Sequence, residues 1–195
     1  MFSTPQTPGP DSFFDNSLMS VDSKPSLQEL EAARTSHTAA TQIKLNRRLG
    51  PEYLSQRPSP GGGPQLTYVE GWKIIGLANE VFGYNGWSST ITKMETDFID
   101  QCPDTRRYSV GVTAMVKITL KDGSFHEDVG YGTGDNQKSK GVALDKAKKE
   151  AVTDGIKRAL RNFGNVLGLC LYEKSFTQEV LKMGKVAPVR SGPRI

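Results

Sequence analysis

Apolar positions recur with two different periods along this chain, and the change of period marks out its elements. From Lys138 to Gly168 (KSKGVALDKAKKEAVTDGIKRALRNFGNVLG) the period is helical. At about 100° per residue, Val152, Ile156, Ala159, Leu160 and Phe163 gather on one side of a single long helix. Lys146, Lys149, Lys157 and Arg161 gather on another side, with Thr153 between them, and Gly164 after Phe163 is an end signal. Such a helix can bury one stripe and offer a row of cations with another; a solvated surface helix is the alternative reading.

Tyr68 to Phe82 (YVEGWKIIGLANEVF) is a second helical segment, with Trp72, Ile75, Val81 and Phe82 as its expected core residues and Gly83 as its stop. Ser26 and Glu29 form a capping box ahead of Leu27, Leu30 and Ala33, which predicts a short acidic helix to about Ser36. HTAAT reads as a break, and Ile43 to Leu49 as one more short helix closed by Gly50-Pro51.

Between the helical segments the period is two. Trp87 onward (SSTITKMETDFI) holds a strand or two, then DQCPDTRR forms a polar turn. Tyr108 to Leu120 alternates, with Val110, Val112, Ala114, Val116, Ile118 and Leu120 on one face. Asp122-Gly123 is a hairpin signature, and FHEDVGYG returns as the next strand. Strands in a run followed by a helix predict an α+β fold, an antiparallel meander of three or four strands packed on the long helix, with additional short helices. The Pro and Gly density of residues 58–64 predicts a loop, opened by Arg57 and closed by Tyr68. Residues 1–25, rich in Pro, Ser, Thr, Asp and Gly, read as a disordered tail in which Phe13 and Phe14 could form a short partner motif.

Charge sharpens this picture. The formal net charge is +4, yet residues 1–42 carry −3 and the other 153 carry +7. A polyanion partner for the body of the chain follows as the first hypothesis. Cys102 and Cys170 are far apart and lack metal-ligand spacing, which points to a reducing compartment and no zinc site. No apolar run approaches a membrane span, and MFSTPQTPGPDSFFDNS lacks the features of a secretory signal, so a soluble intracellular protein is expected.

Two patterns invite an enzymatic reading. Gly132 to Ser139 (GTGDNQKS) is one residue away from a phosphate-cradling loop, but Gln137 stands where a glycine should precede the Lys-Ser pair. After GYGTG, Asp135 stands where a dinucleotide fingerprint needs its third glycine. His126-Glu127-Asp128 could suggest a metal or acid–base cluster; on a strand, however, His126 and Asp128 point one way and Glu127 the other. What remains is cationic: Arg57, Arg106, Arg107, Lys138, Lys140, the long helix and Lys174 are interleaved with Tyr68, Tyr108, Tyr131 and Tyr172. That composition suits backbone-tracking nucleic-acid binding with little sequence readout, with a basic protein-interaction module as the alternative and a nucleotide hydrolase behind it.

LGPEYLSQR, GGG, YVEGWKIIGLANEVFGYNGWSS, KDGSFHEDVGYG and KAKKEAVTDGIKRALRNFGNVLG, in this order, closely resemble the Rad fifty-two family of homologous recombination, the single-strand-annealing and recombination-mediator group. The resemblance covers roughly residues 42–180, within an annealing and oligomerisation domain expected over 26–180 and followed by a basic stub over 181–195. It implies a DNA-binding domain with a β-β-β-α core that assembles into closed rings, with single-stranded DNA in a basic groove, ATP-independent annealing, no cofactor and no catalytic residues. By motif, Arg57 after LGPEYLSQ, Tyr68 before VEG, and Lys157, Arg158 and Arg161 in GIKRALRNFG match the family's inner groove. Arg107 before YSVG, Lys138 in the KSK after GYG, and Lys174 after LYE match an outer site that also engages double-stranded DNA; Lys149 in KAKKEA is a further candidate. The resemblance also implies a nuclear protein that meets a strand-exchange recombinase and a single-strand-coating protein. Leu169 stands where relatives have Asn, and Gln178 where some carry a second cation. Relatives usually continue far beyond the position of Ile195, so a fragment, short paralogue or truncated isoform is expected, without the usual partner-binding segments.

Overall fold

The computed structural model describes residues 26–59, 62, 63 and 65–183; the tail with Phe13 and Phe14, and the stub from residue 184, lie outside the described residues. The described residues through His37 form one unit, and those from Thr38 onward form the body.

Helix α1 (Leu27–Asn46) begins at the expected capping box: Ser26 Oγ accepts from the Glu29 N–H at 3.2 Å, and Glu29 accepts from the Ser26 N–H at 2.7 Å. Those hydrogen bonds hold the Glu29 carboxyl below its ordinary value. The break expected at HTAAT does not occur. No Gly or Pro lies between Ser26 and Asn46, Ala39 and Ala40 are strong helix formers, and the threonines cost only tenths of a kcal/mol, roughly, each. The last part of α1 and the turn after it place Leu45 and Leu49 in the core of the body.

On either side of the Gly/Pro-rich stretch of sequence, β1 (Leu54–Arg57) and β2 (Leu66–Val69) pair as an antiparallel ribbon, with Ser55 opposite Tyr68 and Arg57 opposite Leu66. Tyr68 therefore sits on a strand, and helix α2 runs only from Gly71 to Phe82. Its buried stripe is Ile74, Leu77, Ala78 and Val81. Trp72, expected in the core, is 69% exposed, and Ile75 is exposed as well, because both lie off that stripe. Gly83 ends α2 with φ +87, in the region that only glycine adopts at ease.

The main sheet has the order β3-β4-β5, from β3 (Trp87–Gln101), β4 (Tyr108–Leu120) and β5 (Phe125–Thr133), all antiparallel. Strand β4 has the expected bounds, and Val110, Val112, Ala114, Val116 and Ile118 are fully buried. Strand β3 is one continuous strand with register shifts between Ile91 and Lys93 and between Thr96 and Phe98. Each shift reverses the alternation, which is why the sequence shows no clean period there.

Helix α3 (Lys140–Arg161) packs across the sheet. It starts later and ends earlier than the periodicity suggests; beyond it come single helical turns at Asn165–Leu167 and Leu169–Tyr172, then α4 (Lys174–Lys182). Its buried face in the first half is a ridge of small residues, Ala143, Ala147, Ala151 and Gly155, spaced four apart. Opposite them stand Gly134, Gly132 and Gly130: a Cβ on each would lie 2.2, 2.1 and 2.1 Å from the carbonyl oxygens of Ala143, Ala147 and Ala151. The glycines of GYGTG thus let β5 meet the α3 backbone. The second half of α3 packs larger groups: Ala159 and Leu160 join Ile74, Leu77, Val116, Ile118, Leu167, Cys170 and Phe176 in the larger core cluster. The result is an α+β fold, a three-stranded meander followed by the helix that covers it.

Candidate nucleic-acid interface

Alternation along the ribbon puts Ser55, Arg57 and Tyr68 on one face. On α3, Asp154, Lys157, Arg158 and Arg161 fall at three- and four-residue spacings, one helical face. These two faces, together with the turns after α3, line a single cleft of about 300 Å³. Its walls carry Arg57, Tyr68, Lys157, Arg158 and Arg161, the five residues expected together in an inner groove, although residues 57 and 161 are more than a hundred positions apart in the chain.

Inside the cleft each aromatic carries a cation. The Arg57 guanidinium lies 5.6 Å from the Tyr68 ring centroid, and that of Arg161 lies 4.7 Å from the Tyr172 centroid while also donating to the Tyr172 hydroxyl. Stacking of this kind orients a guanidinium without neutralising it. Two carboxylates complete the arrangement. Asp154 accepts from Arg158 Nε at 2.8 Å and lies 3.9 Å from the Lys157 ammonium, and Asp128 reaches Arg161 at 3.4 Å. Asp154 holds the Arg158 guanidinium above its ordinary value, so that side chain stays charged at any accessible pH. The pairs of Lys157 and Arg158 with Asp154 are partly exposed and contribute about 0–1 kcal/mol each, so a polyanion can displace them, whereas the Arg161–Asp128 pair is mostly buried. Four cations against two acids leave the cleft positive, with the cations held in place rather than free.

The comparisons with known proteins decide the lineage. Residues 37–190 match the model of the Rad52/22 family double-strand break repair protein. The chain belongs to the Rad52/22 family. It is 52% identical over 169 residues to the DNA repair and recombination protein rhm52 of Pyricularia oryzae, a match covering 87% of this chain and 30% of that protein. It is 53% identical over 142 residues to rad22 of Schizosaccharomyces pombe, covering 73% and 30%, and 44% identical over 168 residues to RAD52 of Saccharomyces cerevisiae, covering 86% and 34%. Both are likewise named DNA repair and recombination proteins. The chain spans about a third of the length of the curated relatives it matches.

In this Rad52/22 family member the residues expected at an outer site are not brought together as those expected in an inner groove are. Arg107 ends the turn before β4, and Lys138 precedes α3; the isolated bridge between Tyr108 and Gln137 sets these two cations side by side. Arg107 is fixed there by donating to the Asn136 carbonyl at 3.1 Å. Lys174 begins α4, beyond the other end of α3, which at about 1.5 Å per residue is roughly 33 Å away along the helix axis. Lys149 pairs with Asp145 at 2.8 Å on the exposed side of α3 and borders a shallow depression with Met94, Lys148, Val152 and Thr153. Asp154 and Tyr172 line the cleft and Asp128 backs it through Arg161, and the motif reading assigned none of the three. Asp154 was within reach, since it stands three and four residues before Lys157 and Arg158; Asp128 gives no such signal, because its partner comes from another element. His126 lies 4.6 Å from the Phe163 ring and Glu127 accepts from Thr92, so the HED triplet splits across the two faces of β5 as alternation requires. Among the described residues no three His, Cys, Asp or Glu side chains gather as a metal site would need.

Proposed function

We propose that the body of this chain binds single-stranded DNA through its phosphates and anneals complementary strands without ATP, in homologous recombination and double-strand break repair in the nucleus. The observation that carries this reading is the convergence of Arg57, Tyr68, Lys157, Arg158 and Arg161 on one cleft from separate parts of the chain. Family membership supplies the repair context. Phosphates replace the acids as partners of the cations, the bases stay available to a complement, and annealing is a positional effect: strands held extended and concentrated pair with a smaller entropic barrier. Several copies closed into a ring give the cleft its length, and a strand-exchange recombinase and a single-strand-coating protein are the expected partners in the full reaction. Arg107 and Lys138, set side by side, form the nucleus of a second site that engages duplex DNA.

The test is Lys157→Glu. Its side chain is half-exposed on α3, so the fold survives by circular dichroism while retention of an oligo-dT is lost. In the unmutated chain the logarithm of affinity falls with the logarithm of salt at about 0.7 per phosphate neutralised. Normal annealing by Lys157→Glu, or affinity indifferent to salt, would falsify the reading. A monomeric mass by light scattering would remove the ring.

A further inference from the structure

We propose that Trp72 is a base-stacking platform beside the cleft, from which the strand continues along α3 toward Lys149. This rests on the single-strand reading above and adds to it a contact with a base instead of a phosphate. Trp72 is 69% exposed at the start of α2, on the side away from the stripe that α2 buries. Its ring is nevertheless held in place. The indole N–H donates to the Glu70 carboxylate, which also accepts from Ser55 Oγ at 2.8 Å. Ser55 stands opposite Tyr68 on the ribbon and shares its face with Arg57, so Trp72 is tied to the same face that lines the cleft. The Lys73 ammonium lies 5.6 Å from the indole centroid, the same separation as Arg57 from Tyr68. Of the five cation–aromatic pairs among the described residues, Arg161 with Tyr172 and Arg57 with Tyr68 line the cleft and Lys73 with Trp72 stands beside it, while Arg48 with Phe176 and Lys117 with Phe125 lie elsewhere.

The neighbouring residue gives the direction. A Cβ on Gly71 would lie 2.6 Å from the Thr153 methyl, so α2 begins against α3 at Thr153, four residues from Lys157 on one side and four from Lys149 on the other. A strand leaving Lys157 along α3 passes Trp72 before reaching Lys149. Glu70, at the indole edge, repels a phosphate there, whereas the flat indole accepts the face of any base. This places Lys149 on the path of the single strand instead of in the outer site.

The chain has two tryptophans, so the difference in fluorescence between the unmutated protein and Trp72→Phe reports Trp72 alone. Full-length protein is titrated with oligo-dT and with an abasic oligonucleotide of the same length, binding being followed separately by anisotropy of a label on the DNA. The expected result is quenching of Trp72 by oligo-dT and little by the abasic strand, although both bind. Trp72→Ala then weakens oligo-dT by about 5- to 150-fold, the range for one stacked base, with Trp72→Phe restoring most of it and the abasic strand unaffected. Binding of both strands with equal or no quenching overturns the platform and leaves the single-strand reading standing. A Trp72→Ala variant that changes the oligomeric mass and not the affinity overturns it too, because Trp72 then serves contact between copies. If the unmutated protein binds neither strand, the single-strand reading itself fails and takes the platform with it.

Discussion

Replacing Gly132 by alanine tests whether the contact between β5 and α3 is as close as the geometry requires. The added Cβ would lie 2.1 Å from the Ala147 carbonyl oxygen, 2.5 Å from the Ala151 amide nitrogen and 2.9 Å from Glu150 Cβ. Ordinary contact begins at 3.4 Å, so strand and helix must part by about 1 Å or more. Two of the three obstacles are backbone, and rotamer changes cannot relieve them. The parting also lifts Ala147 and Ala151 from Val110, Val112 and Ala114, all of them fully buried. Overpacking of a tight core costs about 1–3 kcal/mol, and with backbone on both sides the upper end applies, about 3 kcal/mol. For a chain of this size that is a drop of roughly 6–12 °C in Tm.

Two other glycines calibrate the result. Gly123, in the β4–β5 turn at φ +90, has nothing within 4 Å of a Cβ, so Gly123→Ala costs only the backbone strain of about 1–2 kcal/mol. Gly141, in the first turn of α3, has an ordinary φ and would bring a Cβ only into ordinary contact with Ser139 Oγ at 3.8 Å, so Gly141→Ala stabilises by about 0.4–1 kcal/mol. Urea melts of the three variants at one protein concentration, followed by circular dichroism, give the order. A Gly132→Ala variant no less stable than Gly123→Ala would refute the close approach, and with it the explanation of why three glycines alternate along GYGTG.

Two further outcomes follow from particular side chains. Arg107→Ala removes one of the paired cations beside Lys138 and leaves the cleft intact, so duplex engagement weakens severalfold while oligo-dT affinity is unchanged; equal loss of both, in parallel gel-shift titrations, would sink the two-site division. Burial raises the Cys170 thiol above its ordinary value of 9.0, so the folded state holds that proton more tightly than the unfolded chain does. Its contribution is complete at neutral pH and is lost as pH climbs past about 9 toward the folded value. Cys170→Ala should be less stable at pH 7, having lost a buried thiol that donates to the Asn165 carbonyl at 3.2 Å, yet should decline less between pH 8 and pH 10 in urea titrations.

What the sequence makes legible here depends on whether one element or two carry the signal. Strand β4 announces itself because both its periodicity and its burial belong to a single segment, Val110 to Ile118. The capping box at Ser26 is equally local. Strand β3 is hidden by its own bulges, and β1 and β2 are too short, at four residues each, to show a period beside a Gly-rich loop. The assignment of Trp72 to the core fails for a different reason: apolar character marks a residue as worth burying but does not choose the stripe, which the start of α2 at Gly71 sets. The small-residue face of α3 escapes periodicity altogether, since Ala143, Ala147, Ala151 and Gly155 bury little apolar area and matter only opposite Gly134, Gly132 and Gly130. The cleft divides the same way. Its cations are visible as basic residues, and Asp154 stands at helical spacing from two of them, whereas Asp128 is hidden: it meets Arg161 only because β5 lies against the end of α3. A basic row becomes a groove when a second element supplies aromatic and acidic partners that fix its cations. Here Asp128 of β5 and Tyr172 of the turn after α3 do so for Arg161, and the ribbon closes the far wall with its own Arg57–Tyr68 pair, whereas Lys157 and Arg158 are held from within α3 by Asp154.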